Sequence, residues 1–146
     1  MIQVKDVVKS FDGNVVLDHI SANFEEGKVN MIIGQSGSGK TVLMKSMIGL
    51  HPINSGEIIF DTRNGQQNLA AMSEKEVRML HREVGMLFQG SALFDSMTVQ
   101  ENVMFPLEMF SQMSKEEMVE RARFCLSRVD MPERAYSLMP SEISGG

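Results

Sequence analysis

Hydrophobic and polar positions change period along this chain, and the changes divide it into elements. Ile2 to Phe11 and Val15 to Phe24 are two β-rich runs joined around Asp12-Gly13-Asn14, a turn signal that predicts an antiparallel hairpin. Lys28 to Ile33 follows as a third strand. Its run Val29-Asn30-Met31-Ile32-Ile33 has the short apolar character expected of a strand buried in a parallel sheet. Beyond residue 41 the spacing becomes helical through Val42, Leu43, Met44, Met47 and Ile48, with Gly49 and then Pro52 as the stop. Gly56 to Phe60 predicts another strand, and the polar stretch Asp61 to Asn68 a surface loop turning at Asn64-Gly65. Val84 to Phe88 is a short apolar run that leads into Gln89-Gly90 and predicts a further core strand.

Three helix starts are marked by a Ser or Thr followed three residues later by Glu: Ser73 with Glu76, Thr98 with Glu101, and Ser114 with Glu117. Each pair can satisfy two backbone N–H groups that a helix start leaves open. Strands dominate early and helices late, which predicts an α/β core over residues 1–90 followed by a helical subdomain over residues 91–146.

Composition narrows the class without naming a site. At 146 residues, with 42 % hydrophobic and 23 % charged positions, the chain has the length and make-up of one globular domain. No apolar run approaches the roughly 20 residues needed to cross a bilayer, and Met1-Ile2-Gln3-Val4-Lys5-Asp6 lacks a signal-peptide pattern. A net charge of −5 argues against broad nucleic-acid affinity, while leaving room for a polyanion at a local cluster. The single Cys125 falls on an apolar stripe with Met118, Ala122, Leu126 and Val129, so it reads as a packing residue and not a nucleophile.

Chemistry enters at residues 34–41, Gly34-Gln35-Ser36-Gly37-Ser38-Gly39-Lys40-Thr41, set between a strand-like and a helix-like run. Three glycines let the backbone approach phosphate oxygens and turn N–H groups toward them, where side chains would obstruct. Lys40 can reach the β- and γ-phosphates as a point cation, the Thr41 hydroxyl suits Mg²⁺, and the following helix offers its positive end. A flexible glycine turn is the competing reading, and the strand before and helix after argue against it. The octapeptide therefore predicts binding of a nucleoside triphosphate.

Three further segments stand in order around that loop: Phe11 before the first turn, Val84-Gly85-Met86-Leu87-Phe88-Gln89, and Pro140-Ser141-Glu142-Ile143-Ser144-Gly145-Gly146. Together they resemble the ATP-binding subunits of ABC transporters. The last resembles the family signature Leu-Ser-Gly-Gly-Gln, with Ile143 in the Leu position. Residues 90–99 and 102–107, with Leu138-Met139-Pro140-Ser141, resemble the branch concerned with maintenance of lipid asymmetry, which implies phospholipid as cargo. The resemblance implies that Phe11 stacks on the adenine of ATP and that Gly34 to Thr41 hold its phosphates. It implies that Lys40 and Gln89 serve catalysis and that Thr41 and Gln89 attend the Mg²⁺. Ser144, Gly145 and Gly146 would engage the γ-phosphate of ATP held by a second ATPase subunit. Leu93, Phe94 and Phe105 would lie near the surface that receives a membrane permease, or belong to the subdomain core. The implied location is peripheral, on the cytoplasmic face of the inner membrane, with membrane contact only through the permease.

In that family the chain continues past the signature into a strand ending Asp-Glu, which is not among these 146 residues. Those carboxylates help position Mg²⁺ and water for phosphoryl transfer, so the expectation is that this polypeptide binds ATP without turning it over alone. The phosphate-loop strand would also present an unpaired edge. Two other classes stay open: a non-hydrolysing nucleotide- or partner-binding module, and a P-loop small-molecule kinase, against which Gln89 and Ile143 to Gly146 argue.

Overall fold

The computed structural model describes residues 1–62, 65–88, 90 and 92–143. Contacts divide the chain into two compact units, Met1–Met86 and Leu87–Gly146.

The first unit is built on an antiparallel sheet. Strands β1 (Ile2–Phe11), β2 (Asn14–Phe24), β3 (Ser55–Thr62) and β4 (Gly65–Asn68) lie in the order β2-β1-β3-β4. The β1–β2 hairpin closes with Phe11 opposite Asn14, as the turn signal predicts. Its ladder shifts register between Val4 and Val7, where Asp6 (φ 50°) takes a left-handed conformation, and again between Val7 and Lys9, where His19 (φ 47°) does so on β2. The Asp6 N–H donates to Ser21 Oγ at 2.9 Å, and His19 Nδ1 lies 2.7 Å from Asp6 Oδ1, which holds the imidazole pKa above its ordinary value. Gly56 of β3 crosses this bulge with φ 90°, and a Cβ there would fall onto the Asp6 carbonyl. Only glycine fits the crossing.

One face of the sheet carries the core. Val4, Val7, Leu17, Ile58 and Phe60 pack with Leu43 and Met47 of α1 (Lys40–Met47), with Leu69, and with Leu80 of α2 (Glu74–Glu83). Ser46 of α1 is wholly buried beside them, and its hydroxyl has no hydrogen-bond partner among the described residues.

Two sequence expectations are corrected here. Residues 61–68 are not one surface loop: β3 runs on to Thr62 and pairs with β4, Phe60 opposite Gln67 and Asp61 opposite Gln66. Gln66, Gln67 and Asn68 carry no apolar alternation, so the backbone ladder forms without a hydropathy signal. The expected turn residue Asn64 lies outside the described residues. The expected strands Lys28–Ile33 and Val84–Phe88 do not form ladders. Val29 is 96 % exposed and Leu87 95 %, while Ile32 and Val84 pack against the core from one side. A strand is defined by its neighbour, and no described residues pair with either segment.

In the second unit, α3 (Val99–Phe110) and α4 (Lys115–Arg128) pack around Val99, Leu126 and Tyr136. Ala122 and Leu126 are buried as the apolar stripe predicts and Cys125 is half-buried, but Val129 is exposed because it caps α4 instead of continuing it. All three predicted capping boxes form, at Ser73, Thr98 and Ser114. The Ser73 hydroxyl and N–H hold the Glu76 carboxyl below the ordinary glutamate range, and the Thr98 N–H and hydroxyl do the same for Glu101. The first amides of α3 are also taken up, Val99 N–H by the Leu138 carbonyl at 2.9 Å and Gln100 N–H by that of Tyr136 at 3.0 Å. Asn102 ties in the preceding loop: its Oδ1 accepts from the Phe94 N–H at 2.7 Å and its Nδ2 donates to the Met97 carbonyl at 3.1 Å.

Two substitutions in the first unit should act in opposite senses. Gly56→Ala forces both a strained φ and a backbone overlap, and should cost about 2–4 kcal/mol of stability. Ser46→Ala removes an unpartnered buried hydroxyl and should be neutral or stabilise by up to about 1 kcal/mol. Urea unfolding midpoints of the two variants and the parent check both.

Candidate functional site

The phosphate loop is seated on β2. Gly39, the residue before α1, has φ 89°, and a Cβ on it would lie 2.9 Å from the Val16 carbonyl oxygen and 3.1 Å from Leu17 Cδ2. The loop can touch the strand and turn into the helix in one step only because no side chain intervenes. The Ser38 N–H donates to the Gln35 carbonyl at 3.2 Å, closing the loop, and the Leu43 N–H to that of Gly39 at 2.8 Å, opening the helix.

That helix start is bare. Gly39 offers no capping side chain, and no acidic residue stands in the first turn of α1. By contrast α2, α3 and α4 each begin with a capping box and a glutamate. The open amides and the positive end of the helix dipole at Lys40 and Thr41 therefore face an unneutralised position, the arrangement that attracts an anion.

Lys40 is folded back onto the loop. Its Nζ donates to the carbonyls of Gly34 at 2.8 Å and Gln35 at 2.6 Å. Both acceptors are neutral and no carboxylate among the described residues forms an ion pair with the ammonium, so phosphate oxygens offer it a stronger partner. Gln35, Ser36, Gly37, Ser38 and Thr41 are exposed around it. Thr41 puts a hydroxyl at the helix start, a fit for Mg²⁺, which takes most of its ligands from phosphates and water and needs few from protein. Among the described residues no cluster of three His, Cys, Asp or Glu side chains forms a dedicated cation cage.

Phe11 ends β1 and is 39 % exposed. The His51 ring stands nearly perpendicular to it, with centroids 5.5 Å apart, and Lys9 Nζ lies 4.7 Å from the ring centroid. The sequence reading named neither neighbour. For Lys9 the signal was available, since residues two apart on a strand share a face; His51 required the fold. Leu93 and Phe94 are exposed, and Phe94 packs on the half-buried Phe105 with ring centroids 4.7 Å apart. Gln89, Ser144, Gly145 and Gly146 lie outside the described residues.

A glycine-rich loop, a lysine turned onto it and an uncapped helix define a P-loop protein, built to hold phosphate. Residues 17–146 match the model of the ABC transporter family, and the chain belongs to that family. It is 37 % identical to the phosphonates import ATP-binding protein PhnC of Fusobacterium nucleatum, over the whole chain and 60 % of that protein. It is 40 % identical to the glutamine transport ATP-binding protein GlnQ of Escherichia coli, covering 58 % of it. With the chloroplastic protein TRIGALACTOSYLDIACYLGLYCEROL 3 of Arabidopsis thaliana it shares 35 % identity over 41 % of that protein. The chain thus spans about three fifths or less of these relatives. Among solved structures it matches the ATP-binding cassette MJ0796 bound to ADP and Pi, with a TM-score of 0.87 and 29 % identity over 99 % of this chain and 64 % of that one. The fold is that of an ABC ATPase.

Gly39→Ala should lower stability by about 1–3 kcal/mol, through the left-handed φ and the contact with β2, and should weaken phosphate binding with it. Urea unfolding and tripolyphosphate titration of the same preparation check the two effects together.

Proposed function

We propose that the protein is the ATP-binding subunit of an ABC transporter, coupling ATP binding and hydrolysis to movement of a substrate through a membrane permease. The observation that carries this reading is the bare start of α1 beneath the Gly34–Thr41 loop, with Lys40 held, among the described residues, by two neutral carbonyls. When MgATP binds, the Lys40 ammonium exchanges those carbonyls for β- and γ-phosphate oxygens, and the loop amides take the rest. The Thr41 hydroxyl would hold a Mg²⁺, which would supply charge neutralisation to the phosphates. Phe11 stacks on the adenine. Gln89 would attend the Mg²⁺ and the attacking water, and Ser144, Gly145 and Gly146 would engage the γ-phosphate of ATP held by a second copy. In this assignment residues 1–90 are the nucleotide-binding core and residues 91–146 the helical subdomain.

The partners follow from the same reading: a second ATPase subunit and a permease, at the cytoplasmic face of the inner membrane. No helix among the described residues is long and apolar enough to cross a membrane, which fits a peripheral attachment through the permease. Exposed Leu93 and Phe94 supply apolar surface for that contact. We assign phospholipid as the cargo. Residues 90–99, 102–107 and 138–141 resemble the lipid-asymmetry branch, and one relative is named for a galactosylated diacylglycerol. Other relatives are named for phosphonates import, methionine import and glutamine transport.

Lys40→Ala should reduce Mg²⁺-dependent ATP hydrolysis by the full-length protein by about 10²-fold or more, the scale of losing one preorganised charge partner. Turnover unchanged in that variant would overturn the site. With its permease in vesicles, ATP should drive movement of a labelled phospholipid and not of methionine or glutamine; the reverse would replace the cargo and leave the motor standing.

A further inference from the structure

The buried face of β1 ends in a charge. Val7 is fully buried, Lys9 follows on the same face at 9 % exposure, and Phe11 completes the row at the rim. Lys9 pairs with Leu17 of β2 between two register shifts, one on each side, so this stretch is irregular where the lysine turns inward. Its Nζ stands 4.7 Å from the Phe11 ring centroid, and among the described residues no carboxylate forms an ion pair with it. The stem of Lys9 is buried along the strand while its ammonium lies over the negative face of the Phe11 ring, an electrostatic attraction between cation and π system. His51, just beyond α1, sets its ring across that of Phe11, and its backbone N–H donates to the Lys45 carbonyl at 3.4 Å. Phe11 is therefore gripped by a cation from its own strand and by a ring anchored to the end of the phosphate-loop helix.

We propose that Lys9 is a positioning and specificity residue of the nucleobase site, acting through Phe11. Two physical effects follow from its place. Holding the ring lowers the ordering cost when a base stacks on it. A cation beside the π system also draws electron density from it, which favours stacking with an electron-rich purine. Lys9 makes no contact with phosphate in this scheme. The inference rests on the reading of Phe11 as the base-stacking residue, and the test separates the two.

Dissociation constants for MgATP and for magnesium tripolyphosphate, which has no base, are measured by calorimetry on the parent protein, Lys9→Met, Lys9→Arg, Phe11→Leu and the Lys9→Met/Phe11→Leu double variant. Lys9→Met should weaken MgATP by about three- to tenfold and leave tripolyphosphate within about twofold, since a cation–π contact of this kind is worth that much. Lys9→Arg should restore most of the loss, and Lys9→Met should add nothing once Phe11 is Leu. Unchanged tripolyphosphate binding also shows that the loop is folded in each variant. If Phe11→Leu weakens MgATP while Lys9→Met does not, the role of Lys9 is refuted and the base site stands. Equal losses for MgATP and tripolyphosphate in Lys9→Met would make Lys9 a structural or phosphate residue and refute the proposal too. If Phe11→Leu leaves MgATP binding intact, the base site itself is wrong and the inference falls with it.

Discussion

Everything at the phosphate loop depends on the absence of a side chain at Gly39. With Cβ missing, the loop rests on the Val16 carbonyl, takes a left-handed turn and enters α1 without a capping residue. A Ser or Asp at that position would satisfy the helix amides internally and remove the anion site, besides clashing with β2. The same vacancy fixes where Lys40 begins the helix and which carbonyls its ammonium can reach. Binding capacity is thus stored as unmet hydrogen-bonding and charge, against a rigid strand.

The first unit supports that geometry through a sheet that is itself irregular. The bulge at Asp6 and His19 shifts which residues of β1 face the core, from Val4 to Val7 and Lys9. Gly56 is the complementary concession on β3. The consequence reaches the site: the shifted face brings Lys9 and Phe11 to one side of the sheet rim, with His51 closing in from the end of α1. The packing core, the loop helix and the aromatic rim are then one connected object within residues 1–86.

How much of this could be read from sequence divides along the range of the interactions. Capping boxes were legible because a span of four residues suffices to make them, and all three formed. The β1–β2 hairpin and α1 were legible for the same reason. β4 was missed because Gln66, Gln67 and Asn68 show no hydropathy period, and only cross-strand pairing with β3 reveals them. Residues 28–33 and 84–88 failed in the opposite sense: their apolar runs meet the composition of buried strands, but a ladder needs a neighbour that no local pattern supplies. At the site, Lys40 and Thr41 were plain from spacing, since phosphate binding dictates them. The placement of Lys9 and His51 around Phe11 depends on a bulge and on the path of the chain after α1, neither of which the residue types announce.

The most direct measurement of the central claim is a backbone amide titration by NMR with tripolyphosphate and then ATP. The largest shifts should fall on Gly37 to Val42 with both ligands, and shifts at Phe11 should follow only with ATP. Tripolyphosphate shifts centred on any other segment, with the amides of Gly37 to Val42 unmoved, would contradict the assignment of this loop as the phosphate site.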